Sequence, residues 1–484
     1  MSPKDIQPDD AQQTYREGWA DAATWRSGDR MNDLETLMWR SERHPQQSST
    51  ITTLMILDRA PDWQRLRDAH EWAASMLLPI RRKVVEPALP VGPPRWVEDP
   101  DFTLDYHLRR AHLPAPGGEA ELLALTQRLA LAPFDRRRPL WEATLIEGLE
   151  GDRAAYVLKV HHSLTDDQSL MRLVSLVQSP TRSHTPKDAP PPRSPVSEPN
   201  PYGLAVDEIG EQVRSAPGYA ARLLAWQARR LVKPEEALTA GLRYAGSMRR
   251  TLLPSAPNSP LFVGRTGKDW RFGIMDCPLD DLRAAAQSVG ASTKDAHIAA
   301  LLGGLRRYHE HHDIDLDELP LATAVNLRKS DDPLGGNKFA GATFAAPLDI
   351  DDPAERIATV RGMVLSLRVE PAIGSFSVVA PLLNHAPSGL ASLVMRSGAT
   401  ADVSTSSVAG VARESYLAGA RVERVHGFGP LPGVAMMSTL TSHSGTACFG
   451  VNVDGSAVAD VPFLMQCLRE GLAEVLALAG TSTS

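Results

Sequence analysis

Hydrophobic and polar positions alternate with two different periods from about Met31 to the C-terminus. Short apolar runs are typical of buried strands, whereas apolar residues three and four positions apart predict amphipathic helices. Strands are predicted over residues 51–57, 155–160, 321–326, 342–348 and 446–453. Helices are predicted over residues 62–78, 119–131, 280–289, 295–308 and 462–478. Strands and helices that alternate in this way predict an α/β fold.

A segment rich in proline and serine, SPTRSHTPKDAPPPRSPVSEPNP, interrupts this alternation. It has no hydrophobic period, and ordering it would bury little apolar surface, so we expect a linker. The resulting division is a flexible N-terminal tail (1–30), an N-terminal half (31–178), the linker (179–201), an arginine-bearing helical connector (202–258) and a C-terminal half (259–484). Two α/β halves of similar size are therefore expected.

Composition argues against several classes of protein. The 484 residues are 43% hydrophobic and 23% charged, as is typical of soluble globular enzymes. The net charge of −7 argues against nucleic acid as the main partner, since phosphate binding needs a basic surface. The sequence shows no signal-peptide pattern and no apolar run of ~18–20 residues. Three scattered cysteines without metal-ligand spacing fit a reducing cytoplasm.

The stretch VLKVHHSLTDDQSLMRL, residues 157–173, places two histidines between an apolar run and a pair of aspartates. One interpretation is purely structural: a buried strand runs into a helix that Thr165 caps, with Gln168 completing a capping box. Asp166 and Asp167 would then lie in the first helical turn, where negative charge suits the helix dipole. This interpretation explains every residue of the stretch except the histidines.

A functional interpretation explains the histidines as well. An imidazole can take a proton from a hydroxyl or thiol near neutral pH, and a loop that follows a strand is a common place for a catalytic group. His162 lies nearer the loop and is expected to face a cavity, while His161 faces the scaffold. Asp166 is expected to fix the loop through hydrogen bonds. A metal site is less favoured, because neighbouring histidines on a strand point to opposite faces and no HExxH pattern accompanies them.

VHHSLTDD resembles the HHxxxDG signature of acyltransferases with the chloramphenicol-acetyltransferase-like fold. Other segments narrow the resemblance to the bacterial wax ester synthase/diacylglycerol acyltransferase family, in the family's order from about Met31 to the C-terminus. They are PRWVEDPDFTLDYHLRRAHLPAPGG (94–118), LALAPFDRRRPLWEATLIEGLEGDR (129–153), GGNKFAGATFAAPLDIDDPAERI (335–357) and YLAGARVERVHGFGP (416–430).

The resemblance implies two chloramphenicol-acetyltransferase-like α/β sandwich halves with an active-site tunnel between them. It implies transfer of an acyl group from coenzyme A to an alcohol, with acyl-CoA as co-substrate and no permanently bound cofactor or metal. His162 matches the general base, Asp166 matches an aspartate that is mainly structural, and His161 is expected to pack away from the tunnel. The block Pro139, Leu140 and Trp141 is expected to be a packing element.

Three positions depart from the family pattern. Asp167 replaces the glycine that ends the signature, which adds a side chain and a charge where a substrate or backbone normally passes closely. Lys294-Asp295 replaces an Asn-Asp pair at the start of a helix. In STSSVAGV, Ser406 keeps a family position and Ser407 replaces asparagine, although a serine there can still donate a hydrogen bond to an oxyanion. Asn337 is a further candidate, as a residue that fixes a loop near the site.

Three functions remain open at this point. The first is O-acyl transfer to a fatty alcohol or diacylglycerol. The second is acylation of a hydroxyl or amine on a specialised metabolite, with acyl-CoA or a carrier-protein thioester as donor. The third is a lipid- or metabolite-binding relative that has lost catalysis. The arginine-bearing helices predicted over residues 219–250 are most simply solvated, but they could also contact an anionic membrane surface or the phosphates of coenzyme A. Contact with a lipid droplet is implied by the resemblance alone.

Overall fold

The computed structural model describes residues 28–42, 47–89, 92–183, 200–214, 256–326, 339–368, 401–408, 410 and 412–481. Almost all of the predicted N-terminal tail, most of the predicted linker and the arginine-bearing segment 219–250 lie outside these residues, as does Asn337. The domain boundaries given above therefore stay predictions.

The N-terminal part of the chain builds a sheet that is covered by helices. Its helices are α1 (Asp33–Ser41), α2 (Trp63–Met76), α3 (Leu104–His107), α4 (Glu119–Leu131), α5 (Asp167–Val177) and α6 (201–214). Its strands are β1 (Thr50–Leu57), β2 (Arg82–Val85), β3 (Arg95–Glu98), β4 (Leu108–His112), β5 (Trp141–Leu149), β6 (Arg153–His161) and β7 (Gln178–Ser179). Strands β2 and β3 form a separate antiparallel pair.

The C-terminal part builds a second sheet with long helices on one face. Its helices are α7 (Leu279–Ser288), α8 (Thr293–His311), α9 (Pro353–Arg368) and α10 (Val461–Thr481). Its strands are β8 (Trp270–Pro278), β9 (Glu318–Asn326), β10 (Phe339–Pro347), β11 (Val403–Val408), β12 (Tyr416–Leu417), β13 (Ala420–Phe428), β14 (Met436–His443) and β15 (Thr446–Asp454).

Strand β13 links the two parts of the molecule. The first sheet has the order β4-β5-β6-β1-β13-β12-β7, so two strands from late in the chain complete it beside β1. The second sheet has the order β10-β9-β11-β14-β15-β8. The backbones of β13 and β15 touch, since a Cβ added to Gly450 would lie 2.0 Å from the carbonyl oxygen of Gly427. The predicted division into halves did not include this crossing.

Three large buried hydrophobic clusters hold these layers. The largest lies between the second sheet and helices α7 to α10. Another lies on the side of the first sheet that carries Leu164 and helix α5. The third joins the two parts, because Leu54 and Val157 of the first sheet share it with Trp270 and Phe272 of β8. This third cluster fixes the first sheet against the second.

The predicted strands and helices in the described residues are confirmed, with ends that differ by a few positions. The helix predicted over 119–131 has those bounds in the structure, and the helix predicted over 295–308 extends to Thr293–His311. Among the described residues, no helix combines the length and the apolar character that a membrane crossing would need.

Candidate active site

The histidine pair lies where β6 ends and helix α5 is about to begin. His161 is the last residue of β6, and a short turn carries the chain to Asp167, the first residue of α5. The His162 amide donates to the carbonyl of Ser49 at 2.7 Å, which ties the turn to the start of β1. The side chain of His162 is half-buried, whereas His161 has no exposed surface.

The predicted helix cap is wrong by one residue. Asp166, not Thr165, caps α5: its carboxylate accepts from the amide of Ser169 at 2.9 Å, while the Thr165 hydroxyl donates to the Asp166 carbonyl. Thr165 and Asp166 both have side chains suited to capping. The turn after the histidines extends one residue further than the capping-box pattern predicted, so the cap falls on Asp166. Asp167 is therefore the first helical residue; its side chain lies outside the described residues.

His161 is held by hydrogen bonds on both ring nitrogens. The amide of Ser163 donates to its Nδ1 at 3.0 Å, so the hydrogen-bond pattern assigns the proton to Nε2, which lies 2.7 Å from the carboxylate of Glu42. Trp39 and Phe134 contact the ring with their edges. These contacts direct His161 into the scaffold.

Glu42 is a part of this arrangement that the sequence did not predict. It follows helix α1, accepts from the Ser49 amide at 3.1 Å with Oε1 and binds His161 with Oε2. Burial would raise the pKa of the Glu42 carboxyl, but His161, the Ser49 amide and Arg136 hold that pKa below its ordinary value. Glu42 and Ser49 thus connect β1, α1 and both histidines in one network. An acidic residue 119 positions before its partner leaves no local pattern to detect.

Lys159 lies two residues before His161 on the same face of β6 and is buried. Its ammonium donates to the carbonyl of Ala132 at 2.6 Å, lies 3.7 Å from Glu142 and sits over the ring of Phe134. Burial lowers the pKa of this ammonium, and Glu142 opposes the shift. The same Phe134 touches both Lys159 and His161, so this side of the strand is tightly packed.

The Pro139, Leu140 and Trp141 block packs directly against the histidine strand. The carbonyl of Leu140 accepts from the His161 amide at 3.0 Å, and all three side chains are buried. The indole of Trp141 lies between His107 and His70, at ring-centre distances of 4.6 and 6.4 Å, and donates to the carbonyl of Ile80.

Helices α2 and α3 are joined to the block through these two histidines. His107 donates from Nδ1 to the Trp141 carbonyl. His70 donates to the Leu66 carbonyl and accepts from the Tyr156 hydroxyl at 2.6 Å. Every polar contact described for the block is of this structural kind.

Strand β11 brings the stretch STSSVAGV to the same region. Val408, at the end of β11, packs in the buried cluster that contains Leu164 of the histidine turn. Ser406 is buried and Ser407 is exposed. Gly410 passes so close to β14 that a Cβ would lie 1.8 Å from the carbonyl oxygen of Ser442, which explains why this position requires glycine.

Lys294-Asp295 begins helix α8. Asp295 forms a capping box with Ser292, whose amide donates to its carboxylate at 2.8 Å. The ammonium of Lys294 donates to the carbonyl of Ala324 on β9 at 2.9 Å, which fixes the helix start against the sheet. Within the described parts of the chain, no group of three or more His, Cys, Asp or Glu side chains could hold a metal ion.

Family models match most of the chain. The wax ester synthase/diacylglycerol acyltransferase catalytic domain matches residues 26–297, and the C-terminal domain of the same family matches residues 335–475. The chain belongs to this family. It is an acyltransferase of the wax ester synthase/diacylglycerol acyltransferase type, as the segments quoted from the sequence predicted.

Relatives cover nearly the whole length. A protein of Mycobacterium tuberculosis strain H37Rv, named as a diacylglycerol O-acyltransferase, is 37% identical over 464 residues, which are 94% of this chain and 93% of that protein. A second protein of that strain with the same type of name is 27% identical over 473 residues, 93% of this chain and 97% of that protein.

Solved structures show the fold. The wax ester synthase/diacylglycerol acyltransferase of Marinobacter aquaeolei VT8 matches with a TM-score of 0.61 at 24% identity, over 93% of this chain and all of that one. The starter condensation domain of rhizomide synthetase, solved with C8-CoA, matches with a TM-score of 0.56 at 12% identity, over 95% of this chain and 97% of that one. The predicted fold class, two α/β halves of the chloramphenicol-acetyltransferase type, is confirmed.

Proposed function

We propose that this acyltransferase moves an acyl group from an acyl-CoA thioester to the hydroxyl of a fatty alcohol or diacylglycerol, with His162 as general base. The observation that carries the proposal is the contrast within the histidine pair. His161 is buried and bonded at both ring nitrogens, whereas His162 is half-buried on a turn held by backbone bonds. A base needs access to substrate and a fixed position, and the half-burial of His162 and its tethered turn support that role.

The reaction needs one base and one proton donor. The His162 imidazole takes the proton of the acceptor hydroxyl as the oxygen attacks the thioester carbonyl carbon. The tetrahedral oxyanion collapses, the carbon–sulfur bond breaks, and the imidazolium returns its proton to the leaving thiolate. The products are an ester and free coenzyme A, and no acyl-enzyme forms. In this scheme the tunnel between the halves brings donor and acceptor to His162.

The oxyanion requires a hydrogen-bond donor aimed at it. The hydroxyl of Ser406 is the proposed donor, because it lies on the face of β11 that also carries Val408, which packs in the buried cluster of the histidine turn. Ser407 is exposed and points to the opposite face of the strand, so the family asparagine that it replaces has no counterpart in this proposal. Asn337 is proposed to support a loop nearby. Glu42 acts through His161 as a positioning residue: it fixes the end of β6 and, through Ser49, the backbone of His162.

Release of free thiol from acyl-CoA in the presence of alcohols of different chain length tests the reaction. His162→Ala should lower kcat by about 10²- to 10⁴-fold, the usual contribution of a general base. His311→Ala removes an exposed histidine at the end of α8 and is the matched control, with unchanged kcat expected. Thiol release that persists in His162→Ala would exclude His162 as the base.

The acceptor is tested at Asp167. If this side chain narrows the acceptor path, Asp167→Gly should raise the rate on long-chain alcohols relative to short ones. Equal rates for both enzymes would show that Asp167 leaves the path unchanged. The specialised-metabolite alternative would be favoured if a carrier-protein thioester were the only donor used. It would also be favoured if amines were the only acceptors used. Tight binding of acyl-CoA without any thiol release would favour a binding protein.

A further inference from the structure

Helix α6 (201–214) presents an exposed apolar stripe. Four of the eight large hydrophobic side chains that are exposed among the described residues belong to this one helix. They are Tyr202, Val206, Ile209 and Val213, exposed by 72%, 68%, 42% and 68%. Their spacing of four, three and four residues places them within a sector of about 60° on a helix of 3.6 residues per turn. Leu89, also exposed, lies in the loop whose Ala88 amide donates to Pro201 at the start of α6.

The acidic residues of α6 lie away from this stripe. Asp207, Glu208 and Glu211 are all about 130° or more from its centre around the helix axis. Glu208 is buried and lies 2.9 Å from Arg30 and 3.8 Å from Arg95, and Glu211 also pairs with Arg30. The carboxylates of Glu208 and Glu211 are therefore directed at the body of the protein. Gly203, Gly210 and Gln212 border the stripe, so its flanks carry no charge.

The sequence beyond α6 has a charge opposite to that of the whole chain. Residues 215–250 contain seven arginines or lysines and two glutamates, whereas the chain as a whole has a net charge of −7. Arg214, the last residue of α6, continues the same trend. A lipid layer with anionic headgroups has an apolar interior of acyl chains and a negatively charged surface. An apolar stripe followed by a basic sequence is complementary to both.

We infer that α6 is a docking element that lies flat on an anionic lipid surface, with Tyr202, Val206, Ile209 and Val213 in contact with the acyl chains. The stripe is too narrow and the helix too short to span a bilayer, but an apolar face of this size suits partial burial at the interface. Tyrosine is suited to this position, since its ring is apolar and its hydroxyl reaches the headgroups. This role rests on the proposed function in one respect: acceptors and products of the proposed type are held in lipid, so docking delivers the enzyme to them.

The test measures flotation of the full-length protein with vesicles of phosphatidylcholine alone and of phosphatidylcholine with 30% phosphatidylglycerol. The variant carries Tyr202→Ser, Val206→Ser, Ile209→Ser and Val213→Ser. The control carries Val263→Ser and Leu365→Ser, which remove exposed apolar side chains elsewhere. We expect the wild type and the control to float with the anionic vesicles at low salt, and the α6 variant to lose at least tenfold in binding.

Activity distinguishes docking from catalysis. With a short, water-soluble alcohol and acyl-CoA, the α6 variant should match the wild type, while with an acceptor presented in anionic vesicles it should be at least tenfold slower. Equal vesicle binding by the variant and the wild type would overturn the inference, as would equal binding to neutral and anionic vesicles. If the wild type is an oligomer and the α6 variant is a monomer that still binds vesicles, the stripe is a subunit interface. That result would also overturn the inference. If the α6 variant loses vesicle binding but neither it, the control nor the wild type releases thiol, the docking inference stands. Only the proposed function is then contradicted.

Discussion

At the scale of single residues, the histidine turn depends on a carboxylate from a distant part of the chain. Glu42 holds His161 and Ser49 at once, and Ser49 holds the backbone of His162. Position is a large part of catalysis, since a displacement of about 1 Å can cost about 100-fold in rate. The proposed base therefore depends on a residue whose described hydrogen bonds go to His161 and Ser49.

Glu42→Gln tests this dependence. Glutamine keeps the shape and an oxygen for the Ser49 amide but replaces the charged partner of His161. We expect kcat to fall by about 10- to 100-fold with little change in KM, because the base is misplaced while the substrate sites are kept. Glu42→Asp, which retains the charge on a shorter side chain, should recover part of the rate. A larger effect on KM than on kcat would contradict a positioning role.

The local sequence made His162 and Asp166 candidates but gave no sign of Glu42, for a physical reason. A strand end, a turn and a cap are set by neighbours in sequence, so their residues leave a pattern within about ten positions. The partner of His161 is chosen by the packing of helix α1 against β6, which is a contact between distant segments. Even the local pattern left a choice between two capping residues, and the structure uses Asp166.

At the scale of elements, Trp141 packs helices α2 and α3 onto β5, the strand that pairs with the histidine strand β6. Burial lowers the pKa of both stacked histidines, His70 and His107, to about 4. Each is neutral in the folded protein and takes up a proton on unfolding once the pH falls below about 6.5, the value for an unperturbed histidine. Their contribution to stability is complete above pH 6.5 and is lost as the pH falls towards 4.

His107→Phe should reduce this acid sensitivity. Phenylalanine keeps a flat ring between Phe102 and Trp141 but takes up no proton. Between pH 6 and pH 4.5 we expect the free energy of unfolding to fall with pH less steeply in the variant than in the wild type. The two slopes should differ by about 1.4 kcal/mol per pH unit, the effect of one proton. At pH 8 the variant should be about 1 kcal/mol less stable, since the Trp141 carbonyl loses its donor. Urea unfolding at a series of pH values measures both effects; identical slopes would show that His107 does not titrate in this way.

At the scale of the whole molecule, the two sheets are joined where β13 crosses β15. Alternation of strands and helices in the sequence predicted the α/β class and five of the fifteen described strands, because those patterns are local. It did not predict that Ala420–Phe428 would pair with β1, because strand order depends on which distant edges meet. The pattern and the linker predicted two halves, and the resemblance to a known family supplied their chloramphenicol-acetyltransferase type, which the pattern alone left undetermined.

Gly450→Ala tests the close approach at this crossing. The added Cβ would lie 2.0 Å from the backbone oxygen of Gly427, so the strands must separate. We expect a loss of roughly 1–3 kcal/mol or more in the free energy of unfolding, the usual cost of overpacking. Gly362→Ala is the matched control, because a Cβ added at this exposed position of α9 would have no other atom within 4 Å. It should stabilise the protein by up to about 1 kcal/mol, since alanine favours a helix more than glycine does. Equal stability of the two variants in thermal unfolding would contradict the tight crossing.

The position of β13 also determines the order in which the molecule can be completed during synthesis. The first sheet needs residues 416–428 beside β1, yet β1 itself ends at Leu57. While the ribosome makes the more than 350 residues between these strands, one edge of β1 has no neighbour from its final sheet. An open strand edge invites pairing with other chains. The nascent protein is therefore open to such pairing until residues 416–428 emerge, and a chaperone that covers β1 would act in that interval.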